Sequence, residues 1–131
     1  MYITAVLKAT DYMQQTITEY DSIINNCQDI FAKKMKDYGS AWRILRISSL
    51  TDQIFIKAQR IRSIEEKGFQ KVSEGKKNEF IGIVNYAIIG LIQLDLGVSE
   101  QPQEMDYVKV MNNFKKQVNT AKELMLAKNH D

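Results

Sequence analysis

The chain has 131 residues, of which 44% are hydrophobic and 26% are charged; these values are typical of one globular domain and exclude a disordered or fibrous chain. Its 18 lysines and arginines and 16 aspartates and glutamates give a net charge of +2, which is too small to indicate nucleic-acid binding over the whole surface. The single cysteine, Cys27, excludes an internal disulfide and a cysteine-based zinc cluster, so we expect a cytoplasmic protein.

Four helices are predicted in chain order, because apolar residues recur at steps of three and four and glycines stand where these patterns end. The predicted ranges are about 11–38, 48–66, 77–96 and 105 to nearly the end of the chain. Gly39, Gly68 and Gly97 follow the first three ranges, and glycine commonly ends a helix. We therefore predict an all-α helical bundle of about four helices.

The third predicted helix contains the longest apolar segment, Phe80 to Leu96. Glycines and polar residues interrupt it, at Gly82, Asn85, Gly90, Gln93 and Asp95. A helix facing lipid tolerates such residues poorly, whereas a buried core helix can use them. We expect a core helix and no association with a membrane.

The first and fourth predicted helices match each other at a fixed offset without a gap. The matched pairs include Ile17 with Met111, Tyr20 with Phe114, Ile24 with Val118, Asn25 with Asn119, Asp29 with Glu123, Phe31 with Met125, Lys34 with Lys128 and Asp37 with Asp131. We therefore predict that residues 1–104 form a first helical repeat unit with its core at 11–97, and that residues 105–131 form the leading helix of a second, truncated unit. Either the natural protein is longer and has a second unit, or only the leading helix of that unit was kept to complete the fold. The apolar stripe of the fourth helix predicts a homo-oligomer.

Cationic residues cluster between Arg43 and Arg62, where Asp52 is the one acid. Lys57 and Glu65 fall on the apolar arc of the second predicted helix. A charge on such an arc is costly unless it is paired or faces a hydrated cleft, so both are candidate site residues. The alternatives are snorkelling or a simple ion pair for these two, and a solvated helix face for the arginines.

One line of small or polar residues runs along the third predicted helix, formed by Glu79, Gly82, Tyr86, Gly90 and Gln93. Glycines lower helix stability, so either another helix approaches closely or a ligand lies against the backbone. Glu79 and Tyr86 would contact that ligand, or alternatively form a buried hydrogen-bonded pair that fixes helix packing.

Two aromatic residues, Tyr38 and Trp42, lie near the end of the first predicted helix, with Arg43 beside them. They could pack over the edge of the core. Alternatively, a base or sugar stacks on one ring while Arg43 or Arg46 reaches phosphate oxygens. The residues alone do not separate these interpretations.

Residues 27–97 carry a set of motifs that resembles a known family. The motifs are Phe31-x-x-Lys34-x-x-Asp37-Tyr38-Gly39-x-x-Trp42-Arg43, Ser49-Leu50-Thr51-Asp52, Lys57-x-x-Arg60-Ile61-Arg62, Lys67-Gly68 and Glu79-Phe80-Ile81-Gly82-Ile83-Val84-Asn85-Tyr86. The chain resembles the nucleotide modification associated domain, type one, of bacteria and phages. The resemblance implies a link to modified nucleotides or DNA through genomic association, and longer relatives carry a second copy of the motif.

A weaker similarity is to the all-α nucleotide pyrophosphohydrolases of the MazG and dimeric dUTPase type, whose carboxylates bind magnesium. The similarity implies Glu65, Glu66 and Glu79 as metal ligands. Gly82 stands where that family has an aspartate, which removes one carboxylate from the expected magnesium site.

Three functions follow from these patterns. The first is a nucleotide- or nucleic-acid-phosphate-binding module that uses Lys57, Arg60, Arg62, Tyr38, Trp42, Arg43 and Tyr86. The second is a magnesium-dependent nucleoside triphosphate pyrophosphohydrolase, and the third is a helical assembly module without a ligand. The sequence has no phosphate-binding glycine loop, no Gly-x-Ser-x-Gly motif and no paired histidines, so nucleophile and histidine chemistry are not expected.

Overall fold

The computed structural model describes residues 2–68 and 72–129. These residues form four α-helices and one short 3₁₀ helix, and they contain no strand. The elements are α1 (Tyr2–Tyr38), the 3₁₀ helix (Ala41–Ile44), α2 (Ile47–Lys67), α3 (Val72–Leu96) and α4 (Tyr107–Asn129). The prediction of an all-α bundle of about four helices is confirmed.

Two helices begin earlier than the apolar pattern predicts. Helix α1 begins at Tyr2 rather than near Asp11, because residues 2–10 contain no glycine or proline and continue the helix although most of their described side chains are exposed. Helix α3 begins at Val72 rather than near Lys77, and it includes Gly75 within its first turns. Burial periodicity identifies the buried part of a helix, so exposed turns beyond it are missed.

Gly39 ends α1 as predicted, in the left-handed conformation with φ 62°. Its N–H donates to Met35 O at 2.8 Å, which satisfies one of the last carbonyls of the helix. A side chain at this position would also collide with Gln103, whose amide oxygen accepts the N–H of Ser40 at 3.0 Å. The turn after α1 is therefore held against the connection between α3 and α4.

The hydrophobic core lies among α1, α3 and α4, with Leu50 contributed by α2. Phe31 packs on Phe114, with ring centroids 4.6 Å apart. Nearer the start of α1, the Tyr20 hydroxyl donates to Val118 O at 2.9 Å. The later residue of α1, Phe31, contacts the earlier residue of α4, Phe114, and the earlier residue of α1, Tyr20, contacts the later residue of α4, Val118. The two helices therefore run antiparallel.

The predicted repeat and its boundary at residue 104 stay predictions. Helix α4 places Val110 and Phe114 fully inside the same core as α1 and α3. His130 and Asp131, the last residues of the predicted second unit, lie outside the described residues.

One helical segment in the described part of the chain, Gly75–Leu96, is long and apolar enough to span a membrane, with a mean hydropathy of 1.5. A core helix passes the same test, and Ile88 and Ile92 of this segment are buried in the bundle. Phe80 and Leu94, in contrast, are exposed. The predicted lack of membrane association, the cytoplasmic location and the homo-oligomer stay predictions.

Replacing Phe114 with alanine should lower the free energy of unfolding by about 3–5 kcal/mol, because the ring is fully buried and leaves a cavity. Leu124→Ala on the same helix is the matched control, since that side chain is 60% exposed and its loss should have little effect. Urea unfolding followed by circular dichroism measures both changes. Equal losses for the two variants would contradict this description of the core.

Candidate functional site

A cleft of about 590 Å³ opens between the last turns of α1, the 3₁₀ helix, α2 and α3. Helix α1 contributes residues from Ile30 to Tyr38, and α3 contributes residues from Asn78 to Ile89. The 3₁₀ helix contributes Ala41 and Trp42, its flanking residues Gly39 and Leu45 also line the cleft, and α2 contributes Lys57. The volume lies in the range of small-molecule binding sites.

The central side chain of the cleft is Lys57. An added Cβ on Gly82 would lie 2.6 Å from Lys57 Cε and 2.7 Å from Cδ, so the lysine stem occupies the space that the glycine leaves free. The ammonium stands 5.8 Å from the centre of the Tyr86 ring, within the range of a cation–π interaction. Gly82 is therefore explained by the close approach of a side chain from α2.

Two cations share the carboxylate of Glu79. Lys57 Nζ lies 3.4 Å from Glu79 Oε2, and Arg60 Nη1 lies 3.8 Å from Glu79 Oε1. The side chains of Lys57 and Glu79 are 16% and 18% exposed, whereas that of Arg60 is 59% exposed. Lys34 of α1 lines the same cleft, so positive charge exceeds negative charge among these residues.

Two aromatic residues, Tyr38 and Trp42, form an aromatic wall in the same cleft. Tyr38 is 70% exposed and Trp42 is half-buried, and both line the cleft. The Trp42 ring lies 6.3 Å from that of Phe31, measured between centroids, which joins this wall to the core. The structure thus brings together Tyr38, Trp42, Lys57, Arg60, Glu79 and Tyr86 from the predicted site.

Arg43 does not line the cleft, although the sequence made it a candidate phosphate ligand. Its guanidinium donates to Glu104 Oε1 from Nε at 3.1 Å and from Nη2 at 2.9 Å, and it also donates to Gln93 Oε1. Hydrogen bonds from Ser99 and Arg43 hold the pKa of Glu104 below its usual value. Arg43 is 2% exposed, and its hydrogen bonds join the connection between α1 and α2 to helix α3 and to the connection between α3 and α4.

Arg62, Glu65 and Glu66 also lie away from the cleft lining. All three are exposed, and Arg62 and Glu66 border a separate surface depression with Phe55. Within residues 2–68 and 72–129, no group of three or more histidine, cysteine, aspartate or glutamate side chains could bind a metal, so Glu65, Glu66 and Glu79 do not form one. The weaker similarity that implied these metal ligands stays a prediction.

The remaining members of the line on α3 have different surroundings. Gln93 is buried, and its Nε2 donates to the carbonyls of Trp42, Arg43 and Leu45 at 3.2, 2.9 and 2.8 Å. An added Cβ on Gly90 would meet nothing within 4 Å, so no close approach explains that glycine.

Sequence reasoning did not assign Lys34 and Asn85 to the site, although both line the cleft. Asn85 is 8% exposed and its Nδ2 donates to Cys27 O at 3.0 Å. Asn85 could have been identified from the sequence, because it is a polar residue within the most apolar of the predicted helices. Lys34 gave no such signal, because it lies on α1 among other charged residues.

Replacing Arg43 with methionine should lower the midpoint of thermal unfolding by about 5 °C or more, because Gln93 Oε1 would be left buried without its donor. Arg46→Met is the matched control, since Arg46 is exposed and should tolerate the change. Differential scanning calorimetry measures both midpoints. If the two variants melt at the same temperature, Arg43 is not the structural anchor described above.

Residues 34–94 match the model of one protein family, described as nucleotide modification associated domain 1. The matched range includes the cleft from Lys34 through Ile89. No curated protein and no solved structure gives a significant match, so the similarity to the pyrophosphohydrolases is unconfirmed. This match confirms the resemblance that the sequence motifs predicted: residues 34–94 are similar to nucleotide modification associated domain 1.

Proposed function

We propose that this domain is a nucleotide-binding module whose cleft holds the phosphate groups of the ligand. The observation that carries the proposal is the pairing of Lys57 and Arg60 with one carboxylate, Glu79, in a cleft that the aromatic wall of Tyr38 and Trp42 also lines. The family description, which associates the domain with nucleotide modification, supports the same class of ligand.

Electrostatics favour an anion in this cleft. Lys34 and Lys57 line the cleft with the single carboxylate of Glu79, and Arg60, which is not part of the lining, adds a third positive charge beside that carboxylate. Lys57 is mostly shielded from water, where its interaction with a phosphate is stronger than it would be at an open surface. Glu79 neutralises only part of this positive charge, and a bound phosphate group would neutralise the rest.

The shape of the cleft suits a nucleotide. A volume of about 590 Å³ accommodates a small organic ligand. An aromatic side chain can stack on any nucleobase, because every base has a flat π-face. The proposed contacts are Lys57 and Arg60 to phosphate oxygens and the aromatic wall to the base. Arg43 and Arg62 have no role in this site.

Replacing Lys57 with methionine should weaken nucleotide binding more than about tenfold, equivalent to about 1.4 kcal/mol, because the stem is kept and the charge is lost. Arg62→Met is the matched control: it removes the same charge from the same helix, outside the cleft. Titration calorimetry with ribo- and deoxynucleoside mono-, di- and triphosphates, with and without magnesium, measures the affinities. Binding of single-stranded DNA but of no free nucleotide would replace the proposed ligand with a nucleic acid, and equal affinities of both variants would refute the site.

Replacing Glu79 with glutamine should strengthen nucleotide binding by roughly fivefold, because an internal competitor for Lys57 and Arg60 is neutralised. Glu66→Gln, the same change at an exposed position outside the cleft, should leave the affinity unchanged. The pyrophosphohydrolase alternative makes the opposite prediction. It requires magnesium-dependent pyrophosphate release that Glu79→Gln abolishes, which a coupled phosphate assay detects.

A further inference from the structure

Two buried polar atoms beside the cleft have no hydrogen-bond partner. They are Trp42 Nε1 and Asn85 Oδ1, and they are the only buried side-chain nitrogen or oxygen atoms in this condition among the described residues. Both residues line the cleft. Buried polar atoms are nearly always paired, so two unpaired atoms in one site indicate a ligand that pairs with them.

The two atoms are held in fixed orientations. Asn85 Nδ2 donates to Cys27 O at 3.0 Å, which assigns the other end of the amide to the unpaired oxygen. The Trp42 ring packs near the Phe31 ring, and the Trp42 backbone carbonyl accepts a hydrogen bond from Gln93 Nε2 at 3.2 Å. Both atoms are shielded from solvent, so a ligand in the cleft reaches them only after neighbouring side chains shift.

The chemistry of the pair distinguishes among the parts of a nucleotide. An indole N–H only donates and an amide oxygen only accepts, so together they complement a group that offers one acceptor and one donor. Phosphate at neutral pH offers mainly acceptors, and a sugar hydroxyl donates and accepts through one oxygen atom. The edge of a nucleobase offers both, as a ring nitrogen beside an exocyclic amino group or as a carbonyl beside a ring N–H.

We propose that Trp42 and Asn85 form a base-recognition subsite, in which Trp42 Nε1 donates to an acceptor and Asn85 Oδ1 accepts an N–H on the edge of the nucleobase. This inference rests on the proposed function and adds selectivity for the base to phosphate binding. Since Trp42 contacts the base through its edge, stacking falls to Tyr38, which is 70% exposed at the same cleft.

The test compares a nucleoside triphosphate with inorganic tripolyphosphate, which has the charge without the base. Trp42→Phe keeps an aromatic ring and removes the N–H donor. It should weaken binding of the nucleoside triphosphate about tenfold and leave tripolyphosphate binding unchanged. Lys57→Met, in contrast, should weaken binding of both ligands.

A second measurement uses the unsubstituted protein. Trp42 is the only tryptophan, so the chain gives one indole N–H resonance in a ¹⁵N-correlated NMR spectrum. The resonance should move downfield with the nucleoside triphosphate and stay in place with tripolyphosphate.

Each outcome of the two measurements has one meaning. If both ligands bind with equal affinity and the indole resonance does not respond, the base-recognition subsite is wrong and phosphate binding stands. If neither ligand binds, the proposed function fails together with the subsite.

Discussion

The buried amide of Gln93 is the interaction on which the arrangement of this domain depends. It bonds the carbonyls of Trp42, Arg43 and Leu45, and it accepts a hydrogen bond from the Arg43 guanidinium. The two amide hydrogens of this α3 side chain are shared among three carbonyls of the segment that joins α1 to α2. Two of these carbonyls also accept a backbone N–H, Trp42 O from Leu45 and Arg43 O from Ser99. Because Trp42 belongs to that segment, the amide also fixes the aromatic wall of the cleft.

Simple sequence rules predicted the helices and several of the residues that line the cleft. Lys57 was identifiable because a charge on an apolar arc needs a partner, and Glu79 and Tyr86 because they share one face of α3 with Gly82. Arg43 was misread because a cationic run looks solvated, and its partners Gln93 and Glu104 are 50 and 61 residues away. Periodicity reports which face of a helix is buried, but it cannot report which distant side chain meets it there.

Gly82 and Lys57 act as one unit in this description. A side chain at position 82 would displace the lysine stem from the backbone of α3, and with it the ammonium beside Glu79 and Tyr86. The position where the weaker similarity expects an acidic metal ligand therefore adjoins a positively charged group. Under the proposed function, Lys57 would supply phosphate with the positive charge that a carboxylate-bound magnesium ion supplies in other nucleotide sites.

The uneven exposure of α1 divides this helix into two parts with different dynamics. Tyr2, Ile3, Leu7 and Tyr12 are between 59% and 83% exposed, whereas Cys27, Phe31 and Met35 are buried. Opening the first turns removes little packing, so their amide hydrogens should exchange with solvent at low free-energy cost, while those near the cleft exchange only when the bundle unfolds. The end of α1 that borders the cleft is thus part of the cooperative folding unit, and the opposite end can fray without disturbing the site.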